Sequence, residues 1–463
     1  MNLLQPESEK RRSGKYIKYI RITSIFIVCT IIELTTPTFG YSTFPNNLTM
    51  ATLSEDSLTL EQSIEIALKN SHKIAIAEGN VSNAEINLKD ARSGFLPELY
   101  LSGGYNLNDT YDRFEWNENH YSLSLNASMI PFNSGRTLIN AAKSRESLSS
   151  AKQDYRLTES ILVLDVIREY YNLLEASEIL ELKKESLDQK RTHLEFAKAQ
   201  FDLGLAPRAD ILKAEVDVTN AEVDSLQAEG NLKLAHAEIN HIMGISLDYP
   251  TKIKPVKFIR EEPPNFDDCL NEALKNRPEL VQQKASLSIR KYNLRLAQIN
   301  GLPTFTITGS YNAYADKFMF AGLPINQTNW NENTNWHVGI GLSFPIFDGG
   351  VKRRAIQAAK IDLNEANLNY VDLEKEINLE VKLAYLNLVA TFKKIELTEK
   401  QVKSVEESYN ITLGRYKTGV APITEVIDAG VALSNSKVNH TKAIYDYLLA
   451  EAILNKAMGQ LPH

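Results

Sequence analysis

Two runs in this chain alternate between apolar and small or polar side chains at every step. In YSLSLNASM, Tyr121, Leu123, Leu125, Ala127 and Met129 alternate with Ser122, Ser124, Asn126 and Ser128, and WHVGIGLSF repeats the pattern from Trp336 to Phe344. A period of two is the mark of a strand with one apolar and one polar face. Each run has a partner, LYLSGGYNL at 99–107 and FTITGSYN at 305–312, across a loop rich in Asn, Asp and Gly. The pattern predicts two β-hairpins, with strands at about 99–107 and 121–130 and at about 305–312 and 336–345.

Elsewhere the apolar positions recur every three to four residues, as in Leu60, Ile64, Ala67 and Leu68, in Val163, Ile167, Tyr170 and Leu174, and in Leu383, Leu386 and Val389. That period is helical and suits knobs-into-holes packing. From Arg136 to Leu203 there are 68 residues without Gly or Pro, which predicts a single helix roughly 100 Å long. No compact core could bury such a rod. Val351 to Thr418 forms its counterpart. Shorter helices are expected over 58–95 and 208–243, and again over 265–300 and 423–458, so that two of them stacked end to end match one long helix in each half.

The halves are copies. FDLGLAPRAD at 201–210 and YKTGVAPITE at 416–425 place Gly204, Ala206 and Pro207 on Gly419, Ala421 and Pro422, 215 positions later. The same offset carries Tyr170 onto Tyr385, and Met243 and Gly244 onto Met458 and Gly459. The chain is therefore a tandem duplication. Each tip reads as a helix-to-helix reversal, with a glycine closing one helix and a proline opening the next. The expected organisation is a first repeat at 58–244 with its tip at 201–210, a linker at 245–264, and a second repeat at 265–460 with its tip at 416–425.

Composition changes this picture in one respect, the compartment. Six basic residues precede the apolar run ITSIFIVCTII at 22–32, and Thr38 and Gly40 give small side chains before a cleavage point. Residues 1–40 thus read as a signal peptide and 41–57 as an N-terminal leader. The whole chain of 463 residues carries a formal charge of −7, and losing residues 1–40 makes it more acidic, which argues against nucleic acid as a partner. In an exported chain, strands of about nine residues with one lipid-like face suit a transmembrane barrel. Four strands cannot close one, and lipid does not tolerate open sheet edges. Several copies must then share a barrel, and three, supplying twelve strands, is the smallest number expected to leave a passage.

Little points to catalysis. The eight histidines are scattered, His236 and His241 lack the spacing of a zinc helix, and there is no Walker loop or dinucleotide fingerprint. No cofactor, metal or enzymatic activity is expected. The rival reading is a secreted or periplasmic coiled-coil scaffold without channel activity, which leaves the four alternating strands unexplained.

PFNSGR at 131–136, FPIFDGG at 344–350, GLAPRAD at 204–210 and GVAPITEVIDA at 419–429 resemble the TolC family of outer-membrane efflux and secretion channels, over roughly residues 58–460. The resemblance implies a mixed α and β fold: a homotrimeric transmembrane β-barrel in the outer membrane of a Gram-negative bacterium, continued by a long periplasmic α-helical barrel, with residues 245–266 in an equatorial belt. It also implies a passive exit duct in a tripartite efflux pump or type I secretion system, working with a periplasmic adaptor protein and an inner-membrane transporter.

For sites, the resemblance implies acidic entrance rings at Glu425 and Asp428, whose spacing puts both on one helix face. It implies a latch through Asp210 and Tyr416 that lacks its basic member, because Ala421 stands there, with Arg208 or Lys417 as stand-ins. The adaptor-docking tips are expected at Gly204, Leu205, Ala206 and Pro207, and at Gly419, Val420, Ala421 and Pro422.

Overall fold

The structure, a computed structural model, describes residues 57–108, 118–315 and 334–461. The expected signal peptide, almost all of the leader and both hairpin loops lie outside these residues. Two helices, α1 (Leu60–Asn70) and α2 (His72–Ser93), lead into strands β1 (Glu98–Asn108) and β2 (Glu118–Phe132). The 67-residue α3 (Arg136–Asp202) then runs to the first tip and α4 (Arg208–Met243) returns. The second repeat follows the same order, with α5 (Phe266–Asn276), α6 (Pro278–Ile299), β3 (Thr304–Ala315), β4 (Thr334–Ser343), the 67-residue α7 (Val351–Lys417) and α8 (Ile423–Ala457).

The spans expected as single helices over 58–95 and 265–300 are each broken once. Ser71 (φ −71°, ψ 119°) and Arg277 (φ −62°, ψ 123°) leave the helical region and separate α1 from α2 and α5 from α6. At Arg277 the cause is the following Pro278, whose ring disfavours the helical conformation of the residue before it. Ser71 has no proline after it, and apolar period alone gives no sign of the break there.

These breaks sit where the stacked short helices meet. In the first repeat, Asn70 Nδ2 donates to the Met243 carbonyl (3.0 Å), and Gly244 (φ +68°) lies so close that a Cβ there would come within 2.9 Å of Asn70 Cβ. Gly459 (φ +70°) approaches the Asn276 backbone in the same way, at 3.0 Å. Only glycine satisfies both the dihedral and the contact. Arg277 is 4% exposed and binds Glu279 (2.7 Å), Glu380 of α7 (2.6 Å) and the Ala457 carbonyl (3.3 Å).

Both long helices bury their middles at this level, through Val163, Val166, Tyr170 and Leu173 of α3 and Ile377, Val381 and Leu388 of α7. Tyr170 reaches the linker. Its hydroxyl donates toward the carbonyls of Lys254 (2.7 Å) and Leu58 (3.1 Å), beside a parallel bridge between Leu58 and Ile253. Burial pushes this phenol up to about 12. The linker's start is held by the fully buried Asn240, which donates to Leu247 and Tyr249 carbonyls and accepts from Thr251. Toward the sheet α3 meets α2 and α6, through Lys152–Glu85 and Lys143–Asn293; toward the tip it meets α4, through Lys190–Asp217 (2.8 Å) and Lys183–Asp224 (2.8 Å).

Candidate functional site

The four strands form one antiparallel sheet in the order β1-β2-β3-β4. Its register gathers the apolar positions of all four strands on one face: Leu101 lies opposite Leu125, Leu125 opposite Tyr311, and Tyr311 opposite Trp336. Two rows further on the same face, Met129 lies opposite Ile307 and Ile307 opposite Ile340. The other face carries Ser102, Ser124, Asn312 and Asn335 in a matching row. In a water-soluble domain the apolar face would be covered, yet here Leu101 is 64% exposed, Trp336 76% and Ile340 79%. No helix among the described residues is long and apolar enough to cross a membrane. The sheet is the lipid-compatible element, and among the described residues β1 and β4 are its open edges.

At the far end of the rods, each tip closes its long helix with a Schellman turn. Leu205 N donates to the Gln200 carbonyl and Val420 N to the Arg415 carbonyl, both at 2.8 Å, around Gly204 and Gly419, each at φ +74°. Pro207 and Pro422 then start α4 and α8 from extended backbone. Leu205 and Val420 project into solvent at 71% and 67% exposure, while Ala421 is buried. A cluster of Ala197, Ala214, Tyr409, Tyr416, Ile423, Val426 and Leu433 packs the two hairpins together behind the tips.

Glu425 and Asp428 stand exposed on the first turns of α8, away from Ile423 and Val426, which face this cluster. The structure adds a partner the sequence reading missed: Arg415 Nη1 lies 3.3 Å from Glu425 Oε2. The Schellman turn brings the end of α7 back beside the start of α8, so a spacing of ten residues conceals a direct neighbour. Among the described residues no acid or histidine cluster could hold a metal ion.

The two latch residues come near one another without bonding. Asp210 is half-buried, and the Tyr416 hydroxyl is buried without any hydrogen-bond partner among the described residues, its ring edge-on to Phe196 at 5.5 Å. Burial raises the Tyr416 phenol, and the charge of Asp210 raises it further. A buried hydroxyl left unpaired is costly, so a donor or acceptor from outside this protomer would be stabilising. Neither Arg208 nor Lys417 makes an ion pair among the described residues. A second unforeseen contact joins the hairpins, from His193 Nε2 to the Tyr409 hydroxyl at 2.8 Å. Burial lowers the imidazole's proton affinity.

Three comparisons with known proteins fit this geometry. Outer membrane protein TolC of Escherichia coli is 24% identical over 385 residues, covering 81% of this chain and 76% of its own. Outer membrane protein TolC of Vibrio cholerae is 23% identical over 372 residues, covering 80% and 84%. The crystal structure of the Campylobacter jejuni CmeC outer membrane channel superposes with a TM-score of 0.76 at 18% identity, covering 87% of this chain and 85% of that one, and so shares the fold. Residues 63–245 and 269–460, the two repeats in turn, match the family described as outer membrane efflux protein. The chain belongs to that family: it is an outer-membrane efflux or secretion channel protein that extends into the periplasm.

Proposed function

We propose that three copies of this chain close one twelve-stranded barrel in the outer membrane, and that their α3/α4 and α7/α8 hairpins continue it as a hollow periplasmic cylinder. The duct is passive, and it receives its cargo from an inner-membrane transporter through a periplasmic adaptor that grips the tips at Gly204–Pro207 and Gly419–Pro422. One observation carries the reading above the others: among the described residues, a four-stranded sheet with one largely apolar, exposed face and two unpaired edges. Lipid excludes unpaired edges, and only other copies can supply the missing strands.

In such a ring Glu425 and Asp428 stack as two tiers of carboxylates at the narrow end. Clustered carboxylates favour cations over anions. Purified protein in planar bilayers is expected to conduct cations selectively, and the pair Glu425→Gln, Asp428→Asn to lose much of that preference and its block by divalent cations. Unchanged selectivity would remove the rings from the mechanism. Arg415 neutralises part of the outer tier, so Arg415→Gln alone is expected to increase cation preference.

The latch is read in the same bilayers. If Asp210 and the orphaned Tyr416 hydroxyl bond across hairpins of neighbouring copies, Asp210→Ala with Tyr416→Phe lengthens open time severalfold, since a hydrogen bond of about 1 kcal/mol is lost at every junction. Open times equal to wild type would show that packing alone holds the tips.

A further inference from the structure

The junction where β4 passes into α7 carries a feature that a water-filled duct does not require. Residues 344–350 form an exposed turn in which Ile346 and Phe347 are 92% and 89% exposed. They directly follow the lipid-compatible strand residues Ile340 and Leu342, so the turn extends the apolar face of the sheet toward the rods. Beside it lies an open groove of about 630 Å³, walled by Leu302, Phe344 and Ile346 and edged by Lys352, Arg353 and Lys360. None of these three cations has an ion-pair partner among the described residues. The one acid in the groove, Asp348, already accepts hydrogen bonds from the backbone N–H groups of Gly350 (2.9 Å) and Lys352 (2.8 Å). Arg354 is occupied as well, donating to the Gly349 carbonyl at 3.1 Å.

Folding does not ask for the charge at Lys352 and Arg353. Cations in the first turn of a helix oppose its dipole, and at the matching start of α3 Thr137 and Leu138 stand in their places, while Lys360, two turns further on, matches Arg145. The second repeat therefore holds unpaired positive charge, next to bare apolar side chains, at the level where a lipid-facing sheet gives way to water.

We propose that this groove binds an anionic phospholipid of the leaflet facing the periplasm, with its phosphate held by Lys352, Arg353 and Lys360 and its acyl chains along Ile346, Phe347 and the apolar face of β4. The charge complements a phosphodiester, and the apolar wall is continuous with the surface that lipid already covers. The long stems of lysine and arginine lie on apolar surface while their heads reach the headgroup layer. The inference rests on the outer-membrane barrel reading.

The test uses the full chain purified in a neutral detergent, with di-oleoyl phosphatidylglycerol, di-oleoyl phosphatidylcholine and free glycerol phosphate as probes, and native mass spectrometry to count lipid retained per oligomer. Wild type is expected to retain phosphatidylglycerol over phosphatidylcholine. The variant Lys352→Gln, Arg353→Gln, Lys360→Gln is expected to lose at least about tenfold in that affinity, and millimolar glycerol phosphate is expected not to compete, because it lacks the acyl chains. Equal retention of both lipids, undiminished binding by the variant, or full competition by glycerol phosphate would each overturn the site. Oligomer size and bilayer conductance are measured on the same samples. A variant that conducts normally but still binds phosphatidylglycerol sinks the site and spares the channel; one that no longer assembles shows that a neighbouring copy, not lipid, fills the groove; wild type that neither assembles nor conducts sinks both.

Discussion

Replacing Ile340 by lysine is expected to abolish insertion of this protein into the outer membrane. Ile340 is 79% exposed in the middle of β4, on the face shared with Ile307 and Met129. A lysine on the lipid face of a barrel costs about 2–4 kcal/mol near the bilayer midplane, and each copy in an oligomer bears that cost. The control is Thr308→Lys, one residue along β3 from Ile307 and on the opposite face of the sheet, where water rather than lipid is the expected neighbour. The heat-modifiable oligomer in membrane fractions should disappear for Ile340→Lys and persist for Thr308→Lys. Equal loss from both would mean that the two faces are not differently solvated.

A comparably large effect is expected in the rods, at a residue far from either end. Arg277→Ala should destabilise the helical domain by about 3–5 kcal/mol, because it leaves a mostly buried carboxylate without its counter-ion. Glu279 is 17% exposed in its side chain and binds Arg277 at 2.7 Å, while Glu380 is shared between Arg277 and Lys456. Burial alone would raise the Glu279 pKa, but hydrogen bonds from Arg277 and from its own backbone outweigh it and hold the carboxyl below its ordinary range. A depressed pKa means that the unfolded chain binds the proton more tightly. The stabilisation is thus complete above the ordinary carboxylate range and is lost as pH falls through the lower folded value. The urea midpoint of the helical circular-dichroism signal should drop for Arg277→Ala at pH 7, with a smaller difference from wild type under strongly acidic conditions. Replacing Arg277 and Glu279 together by Met and Leu, with Glu380 kept as the partner of Lys456, should restore much of the loss, since no buried charge is then left unpaired.

These two residues show which parts of the molecule can be read from its sequence. Ile340 belongs to a strand whose period of two is visible in nine consecutive residues, and the lipid-compatible face follows from the register that this period imposes. The first long helix is equally legible, since 68 residues without Gly or Pro leave the backbone no reason to stop, and the repeat carries the second, whose one glycine, Gly414, stands in its last turns. The tips are legible because Gly204 and Gly419 adopt a left-handed turn that other residues resist. Arg277 marks a limit: Pro278 announces a break, but the Glu279, Glu380 and Ala457 partners come from three different places along the chain. The break at Ser71 has no comparable sign. Near the candidate gate, Glu425 and Asp428 are legible as a pair three apart, whereas the Arg415 contact and the stranded Tyr416 hydroxyl depend on how two hairpins fold back and pack.

In the proposed barrel the free edges of this sheet, β1 and β4, are joined between copies. Single cysteines at Leu101 in β1 and, in turn, at Val338, Ile340 or Leu342 in β4, in a chain with Cys29 and Cys269 replaced by Ala, make that junction visible by oxidation in isolated outer membranes. At one of the three registers covalent species of two and three chains are expected, and none larger. Failure to cross-link between chains at every register, or a ladder running past three, would contradict it.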